Sequence, residues 1–123
     1  MPKKILVVED DADNRRIVAK TLSVEGYEII EATDGIEALA HALADRPDLI
    51  LMDLALPNMD GWEATRRLKS DPQTRAIPVV ALTAVAMRGD EEQARAAGCD
   101  DYISKPARPV AIREMVRKYT GGV

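Results

Sequence analysis

Two rhythms of apolar and polar positions alternate along this chain. Short unbroken apolar runs, Ile5–Val8 and Leu49–Met52 among them, recur at regular intervals. Longer segments with apolar residues three and four apart separate them. The short runs predict strands near 4–8, 27–31, 48–52, 77–82 and 101–104. The longer segments predict helices near 13–25, 35–45, 61–70, 88–97 and 109–119. Ile36, Leu39, Ala40 and Leu43 form the expected buried stripe of the second helix, and Ile112, Met115, Val116 and Tyr119 that of the last. The stripe of the fourth is mostly alanine (Ala94, Ala96, Ala97), which predicts loose packing. Gly26, Asp34-Gly35, Arg46-Pro47, Asp60-Gly61, Ile77-Pro78 and Gly98 supply the turns. Asp13 is the candidate cap of the first helix, with Asp11 left facing solvent. There is no internal repeat or linker, and Gly121-Gly122-Val123 is expected to fray.

Five strands alternating with five helices imply a parallel sheet with helices on both faces. Right-handed crossovers then leave few topologies. The expected fold is α/β and flavodoxin-like: a five-stranded parallel sheet of order 2-1-3-4-5 flanked by five helices. That order sets strands 1 and 3 side by side at the switch point, where open α/β sheets bind ligands.

Composition narrows the class. A chain of 123 residues fits one domain over 1–123, with one hydrophobic core. Ile, Leu, Val, Met and Ala must supply that core, because Phe is absent and Trp62, Tyr27, Tyr102 and Tyr119 are the only aromatics. The single Cys99 excludes an internal disulfide framework and fits a reducing cytosol, so a cytoplasmic location is expected. No apolar stretch approaches the ~20 residues of a membrane span, and Met1–Lys4 leads into a strand without a signal-peptide core. With net charge −4 and scattered basic residues there is no nucleic-acid footprint. No effector segment is expected after Tyr119, and Met1 with the short tail leads to the expectation of a stand-alone protein.

The chemistry-bearing residues fall at strand ends. Asp53 closes the Leu49–Met52 run, and Glu9-Asp10-Asp11 follows the Ile5–Val8 run. Thr83 ends the fourth strand and Lys105 follows the fifth, whereas the end of the second, Glu31-Ala32-Thr33, carries no comparable signal. Three carboxylates held close repel one another. A hard cation such as Mg²⁺, which takes one or two carboxylates plus waters and phosphate oxygens, resolves this. A carboxylate at such a cation can attack a phosphoryl group and become an acyl phosphate. Thr83 could donate to the new phosphoryl oxygen and Lys105 could hold it as a point charge.

Each residue alone has a plainer reading. Glu9-Asp10 would more often begin a helix than hold a metal. Asp53 could bond local backbone, Thr83 could be structural, Lys105 a surface lysine and Tyr102 a packed strand residue. The functional reading prevails because the five positions Glu9, Asp10, Asp53, Thr83 and Lys105 fall in register on one sheet edge. His41, mid-helix with no partner in sight, reads as surface. Cys99 reads as a small packed or turn residue, since no base is recognisable nearby, and Trp62 as a packing residue at a helix start.

Glu9-Asp10, Asp53, Thr83 and Lys105-Pro106, with the Asp53 to Thr83 and Thr83 to Lys105 spacings and the segment from Asp53 through Pro57 to Asp60-Gly61, resemble the bacterial two-component response-regulator receiver domain (CheY-like). The similarity runs from Lys4 to about Tyr119. Ala86–Glu92 and Gly98–Pro106 resemble most the DivK-type single-domain regulators and hybrid-kinase receivers.

The resemblance implies that Asp53 accepts phosphate from a phosphohistidine on a sensor histidine kinase or histidine phosphotransfer protein. It implies Mg²⁺, for which Mn²⁺ can substitute, ligated by Asp10, Asp53 and the backbone carbonyl of Ala55, with Glu9 acting through water. It implies that Thr83 and Lys105 grip the phosphoryl group, that Ala84 leaves room for it, and that Tyr102 turns inward when Thr83 moves. Lys105-Pro106 matches a peptide bond that is cis in the family. The expected output is a changed face formed by the fourth helix, fifth strand and fifth helix, offered to a downstream protein. The domain is expected to be a monomer or a phosphorylation-dependent dimer, without membrane insertion. It is expected to be a switch rather than an enzyme, catalysing only its own phosphorylation and dephosphorylation. Ala55 and Val85 occupy positions that tune phosphate loss in the family, and neither can orient an attacking water, so slow loss is expected.

Rival functions fare worse. Aspartyl-phosphate enzymes of the haloacid-dehalogenase type carry a second Asp two residues after the nucleophile, and here that position is Ala55. A nucleotide-binding flavodoxin-like or Rossmann protein needs a Gly-rich first loop. Here that loop is Glu9-Asp10-Asp11-Ala12-Asp13-Asn14. An interaction module that has lost phosphorylation is disfavoured because all five site positions are present.

Overall fold

The computed structural model describes residues 2–83 and 95–122. Strands β1 (Lys4–Val8), β2 (Glu28–Ala32), β3 (Leu49–Asp53), β4 (Val79–Thr83) and β5 (Asp101–Ser104) form one sheet in the order β2-β1-β3-β4-β5. All four pairings are parallel. Helices α1 (Ala12–Val24), α2 (Gly35–Asp45), α3 (Gly61–Ser70) and α4 (Pro109–Thr120) are described whole. Of the helix predicted over 88–97, residues 95–97 are helical, and the rest lies outside the described residues, as do Ala84, Val85 and the 86–92 segment.

Every residue of β3 and β4 is buried, because helices cover both faces and leave no strand position for water. Alternate residues feed two cores. Leu6, Val8, Ile50, Met52, Val79 and Ala81 pack with Ala38, Ala42, Ala64 and Leu68 of α2 and α3. Ile5, Val7, Leu49, Leu51, Val80 and Leu82 pack with Val18 and Leu22 of α1 and Ile112 and Val116 of α4. The stripe expected on the last helix is observed: Ile112 and Val116 are buried, with Met115 and Tyr119 packed beside them.

The stripe expected on the second helix is corrected. Its buried face is Gly35, Ala38 and Ala42, while Ile36 is 56% and Leu43 44% exposed. Ala40 is exposed as well, and Leu39 is partly buried against the core. Two apolar stripes run along this alanine-rich helix, and periodicity alone weighs the bulkier one more heavily. Docking at its N-terminus sets the rotation instead: the Gly35 N–H donates to the Met59 carbonyl at 2.9 Å, which turns the small residues inward.

Four smaller expectations change or hold. Asp11, not Asp13, caps α1: it is exposed, yet its carboxylate accepts from the Asn14 N–H at 2.9 Å, because the helix begins at Ala12. His41 is half-exposed but partnered, with Nδ1 2.8 Å from Asp45 Oδ2 one turn on. Cys99 is packed as expected, its Sγ 3.9 Å from Thr65 Oγ1, and burial pushes its thiol up, away from reactivity. Trp62 packs against the α2–α3 side of the sheet.

Candidate functional site

The sheet register delivers the site. Val8 pairs with Met52, Asp53 with Leu82 and Thr83 with Ser104, so the C-terminal ends of β1, β3, β4 and β5 line one edge. Glu9 follows β1, Asp53 ends β3, Thr83 ends β4, and Lys105 follows β5, its backbone N–H donating to the Thr83 carbonyl at 2.6 Å. The Lys105-Pro106 peptide bond is cis.

Glu9 and Asp53 are 2% and 3% exposed, an unusual depth for two carboxylates. Lys105 stands between them. Its Nζ lies 2.6 Å from Asp53 Oδ2 and 3.4 Å from each Glu9 oxygen. The second Asp53 oxygen accepts from the Ala55 N–H at 3.0 Å. Asp10 is exposed at the mouth of the site, and one oxygen from each of Glu9, Asp10 and Asp53 lies within 4.8 Å of the others.

One ammonium does not balance this charge. Burial, a shared hydrogen bond with Asp53 and the Asp53 charge push the Glu9 carboxyl up to about 7, against the pull of Lys105 and Asn14. Burial by itself would depress the Lys105 ammonium, yet the hydrogen bond and charge of Asp53, with Glu9 behind them, hold it above its ordinary value. An all-oxygen set of three converging carboxylates, one at the mouth, suits a hard divalent cation that keeps some waters.

The loop after β3 is clamped from outside. Asp60 caps α3 by accepting from the Glu63 N–H at 2.9 Å. A Cβ on Gly61 would run into the Asp53 carbonyl and Leu54 Cα, main-chain atoms that cannot yield. Gly61→Ala should therefore cost about 2 kcal/mol or more in a urea titration, and a loss under about 0.5 kcal/mol would show that the backbone adapts.

Asp34, 8% exposed, accepts from the Glu37 N–H and from Asn58 Nδ2, both at 2.8 Å. The Glu37 N–H and then Asn58 hold its carboxyl below the usual range. Asn58 takes a left-handed φ of 63° in the middle of the loop. Arg15 reaches the opposite side, with Nη1 donating to the Glu9 carbonyl at 2.9 Å and Nε to Glu31 Oε1 at 3.0 Å. The roles of Arg15, Glu31, Asp34 and Asn58 around the site are not expected from the sequence. A capping-box spacing, Asp34 to Glu37, was visible, but the contacts to Asn58 and Glu9 are tertiary.

The model of the response regulator receiver domain matches residues 5–117. The chain belongs to the response regulator receiver family. It is similar to the polar-differentiation response regulator DivK of Brucella anthropi, at 46% identity over 98% of both chains, and to that of Brucella abortus at 45% over the same shares. Among solved structures, a receiver domain of a Pseudomonas aeruginosa sensor histidine kinase, determined with a magnesium ion coordinated in its active-site cleft, superposes with a TM-score of 0.91. That pair is 36% identical and covers 99% of this chain and 100% of the other. The chemotaxis response regulator CheY4 of Vibrio cholerae gives 0.91 at 30% identity, over 97% and 99%.

In this receiver domain, Glu9, Asp10, Asp53, Thr83 and Lys105 come together at one sheet edge, as their spacing in the chain leads one to expect. Ala55 sits beside them, its N–H on Asp53. Tyr102 lies farther off, partly buried in β5 against the α2–α3 side of the core. No helix among the described residues of the receiver is long and apolar enough to cross a membrane.

Proposed function

We propose that this receiver accepts a phosphoryl group on Asp53 from a phosphohistidine, in a reaction that requires Mg²⁺. The observation that carries this is the triangle of Glu9, Asp10 and Asp53 oxygens within 4.8 Å, with the Lys105 ammonium 2.6 Å from Asp53. Asp10 and Asp53 would hold the cation with the Ala55 carbonyl, and Glu9 through a bound water. The cation, when bound, neutralises charge on the incoming phosphoryl oxygens. Asp53 supplies the attacking oxygen. Its carbon–oxygen bond stays intact, a new oxygen–phosphorus bond forms, and the phosphorus–nitrogen bond to the donor histidine breaks. Lys105 moves from carboxylate to phosphoryl oxygen with its charge preserved, and Thr83, buried at the end of β4, donates to another.

The donor is a sensor histidine kinase or a histidine phosphotransfer protein. A cleft of about 470 Å³ beside the site supports this, its walls running from Glu9 and Lys105 to the apolar Ile17, Val18, Leu82 and Pro106. Ile17 is 53% exposed there, which suits a protein that buries an apolar surface while presenting its phosphohistidine. The chain acts as a switch rather than as an enzyme on other molecules. Acyl phosphate adds roughly −1.5 to −2 charges, which would draw Thr83 in and leave space for Tyr102 to follow. The readout is then the face of β5 and α4 with the predicted helix before β5, presented to a downstream protein.

The testing experiment is intact mass after incubation with acetyl phosphate, with Mg²⁺ and with EDTA. A gain of one phosphoryl group that needs the metal is expected. No gain in either condition, or from a competent phosphohistidine donor, leaves a receiver fold without its switch. Two further outcomes follow. Mg²⁺ should raise the melting temperature by binding the native state, and Asp10→Ala should remove most of that rise; an unchanged rise places the metal elsewhere. Ala55 brings no side chain able to orient water, so the phosphoryl group should persist for minutes or longer without a partner. Loss within seconds, read by mass over time, overturns that expectation.

A further inference from the structure

We propose that Arg15 is a positioning residue for the acidic cluster, one that sets the orientation of the Glu9–Asp10 peptide plane. The inference rests on the metal reading above and adds a residue to it. Both backbone groups of Glu9 are tied to the end of β2. The Glu9 N–H donates to the Ala32 carbonyl at 3.0 Å, and the Glu9 carbonyl accepts Arg15 Nη1 at 2.9 Å. Arg15 is itself held at Nε by Glu31 Oε1 at 3.0 Å, with its side chain 19% exposed. The guanidinium is planar, so two N–H donors fixed at two points leave its plane little freedom.

The carbonyl of Glu9 and the N–H of Asp10 belong to one planar unit. Holding the carbonyl therefore sets the direction in which the chain leaves Glu9 and the place where Asp10 begins. Without that hold, the peptide is free to rotate before α1 starts at Ala12, and the Asp10 oxygen moves out of reach of Asp53. Asp10 is exposed, so burial does little to fix its position. This assigns a task to the end of β2, where the sequence carries no recognisable site residue. Glu31 orients Arg15, Arg15 orients a peptide, and the peptide orients a carboxylate.

Electrostatics and geometry predict opposite signs for the loss of Arg15. Removing a cation near three carboxylates should by charge alone tighten Mg²⁺ binding. Removing a positioning group should weaken it. The test is Mg²⁺ affinity by isothermal titration calorimetry on the whole chain, well below every variant's melting temperature, for wild type, Arg15→Met, Arg15→Lys and Glu31→Gln. A merely structural role would lower the metal-free melting temperature and leave the affinity unchanged.

Arg15→Met is expected to bind about 10-fold more weakly, as is common for groups behind metal ligands. Arg15→Lys can still donate once to the Glu9 carbonyl and should lose less, as should Glu31→Gln. Unchanged or tighter binding by Arg15→Met overturns the inference. If that variant does not fold, Arg15→Lys decides in the same way: weaker binding supports it and wild-type affinity overturns it. A wild type that takes no Mg²⁺ overturns the metal reading and this inference together. A wild type that binds beside Arg15 variants that bind equally overturns this inference alone.

Discussion

Asp53→Asn is expected to abolish phosphoryl uptake, leaving no mass gain from acetyl phosphate and Mg²⁺ where the wild type gains one group. The reason is positional as much as chemical. Asp53 is the last residue of a strand buried along its whole length, so its carboxylate is carried on backbone that cannot drift. One oxygen is engaged by the Ala55 N–H and the other by Lys105, which fixes the orientation of the group.

Glu9 is the rival acceptor, since it is buried alongside and its oxygens stand at 3.4 Å from the same ammonium. In the proposed metal-bound site Glu9 would face the cation through a water, and the Lys105 ammonium stands closer to Asp53, at 2.6 Å, so Asp53 is the carboxylate placed to attack. Asp10 sits exposed at the mouth of the site, where Lys105 makes its contacts to Asp53 and Glu9 instead. A mass gain that survives in Asp53→Asn would transfer the acceptor role to Glu9 or Asp10, and peptide mapping of the modified chain would say which.

The metal-free protein should be more stable at pH 5 than at pH 8, the reverse of what paired surface carboxylates produce. Glu9 carries this effect. Its carboxyl titrates near 4.5 in the unfolded chain and near 7 in the folded one. Below the lower value both states hold the proton, and its contribution to stability is complete. Between the two values the unfolded chain releases the proton while the native state keeps it, so stability falls as pH rises. Above about 7 the native state releases it too, and the contribution is gone. The loss across that window is on the order of 3 kcal/mol.

Lys105, held above its ordinary 10.5, works in the same direction but only at far higher pH, and Asp34 and Glu63, held low, act only in acid, so none of them masks the effect. Glu9→Gln should flatten the dependence and be more stable than wild type at pH 8, because the amide removes the buried charge. Urea midpoints at the two pH values, in EDTA, decide the matter. A wild type as stable at pH 8 as at pH 5, with Glu9→Gln no different, would mean that Lys105 compensates both carboxylates fully. Mg²⁺ should erase most of the difference at pH 8 by supplying the charge that the proton no longer does.

Much of this protein was legible in the chain. Apolar runs in the central strands, separated by helical periods, leave little but a parallel sheet covered on both sides, because backbone polarity and apolar burial must be satisfied together. Asp53, Thr83 and Lys105 stand next to such strands, so strand order alone carries them to one edge, and the acidic run after the first strand joins them there. These are local patterns summed by topology, and sequence records both.

Tertiary structure decided what depends on the meeting of distant segments. The rotation of α2 follows from Gly35 docking on Met59, not from its own apolar count, and so Ile36 and Leu43 face outward. Asp34 reaches Asn58 twenty-four residues on, and Arg15 joins Glu31 to Glu9. The displacement of the Glu9 carboxyl to about 7 exists only because burial and Asp53 act on it at once. A residue's type and neighbours in sequence determine what chemistry it can offer. Its partners across the fold determine its charge, its orientation and whether the chemistry is offered at all, since hydrogen bonds and desolvation act over a few ångströms of space and not along the chain.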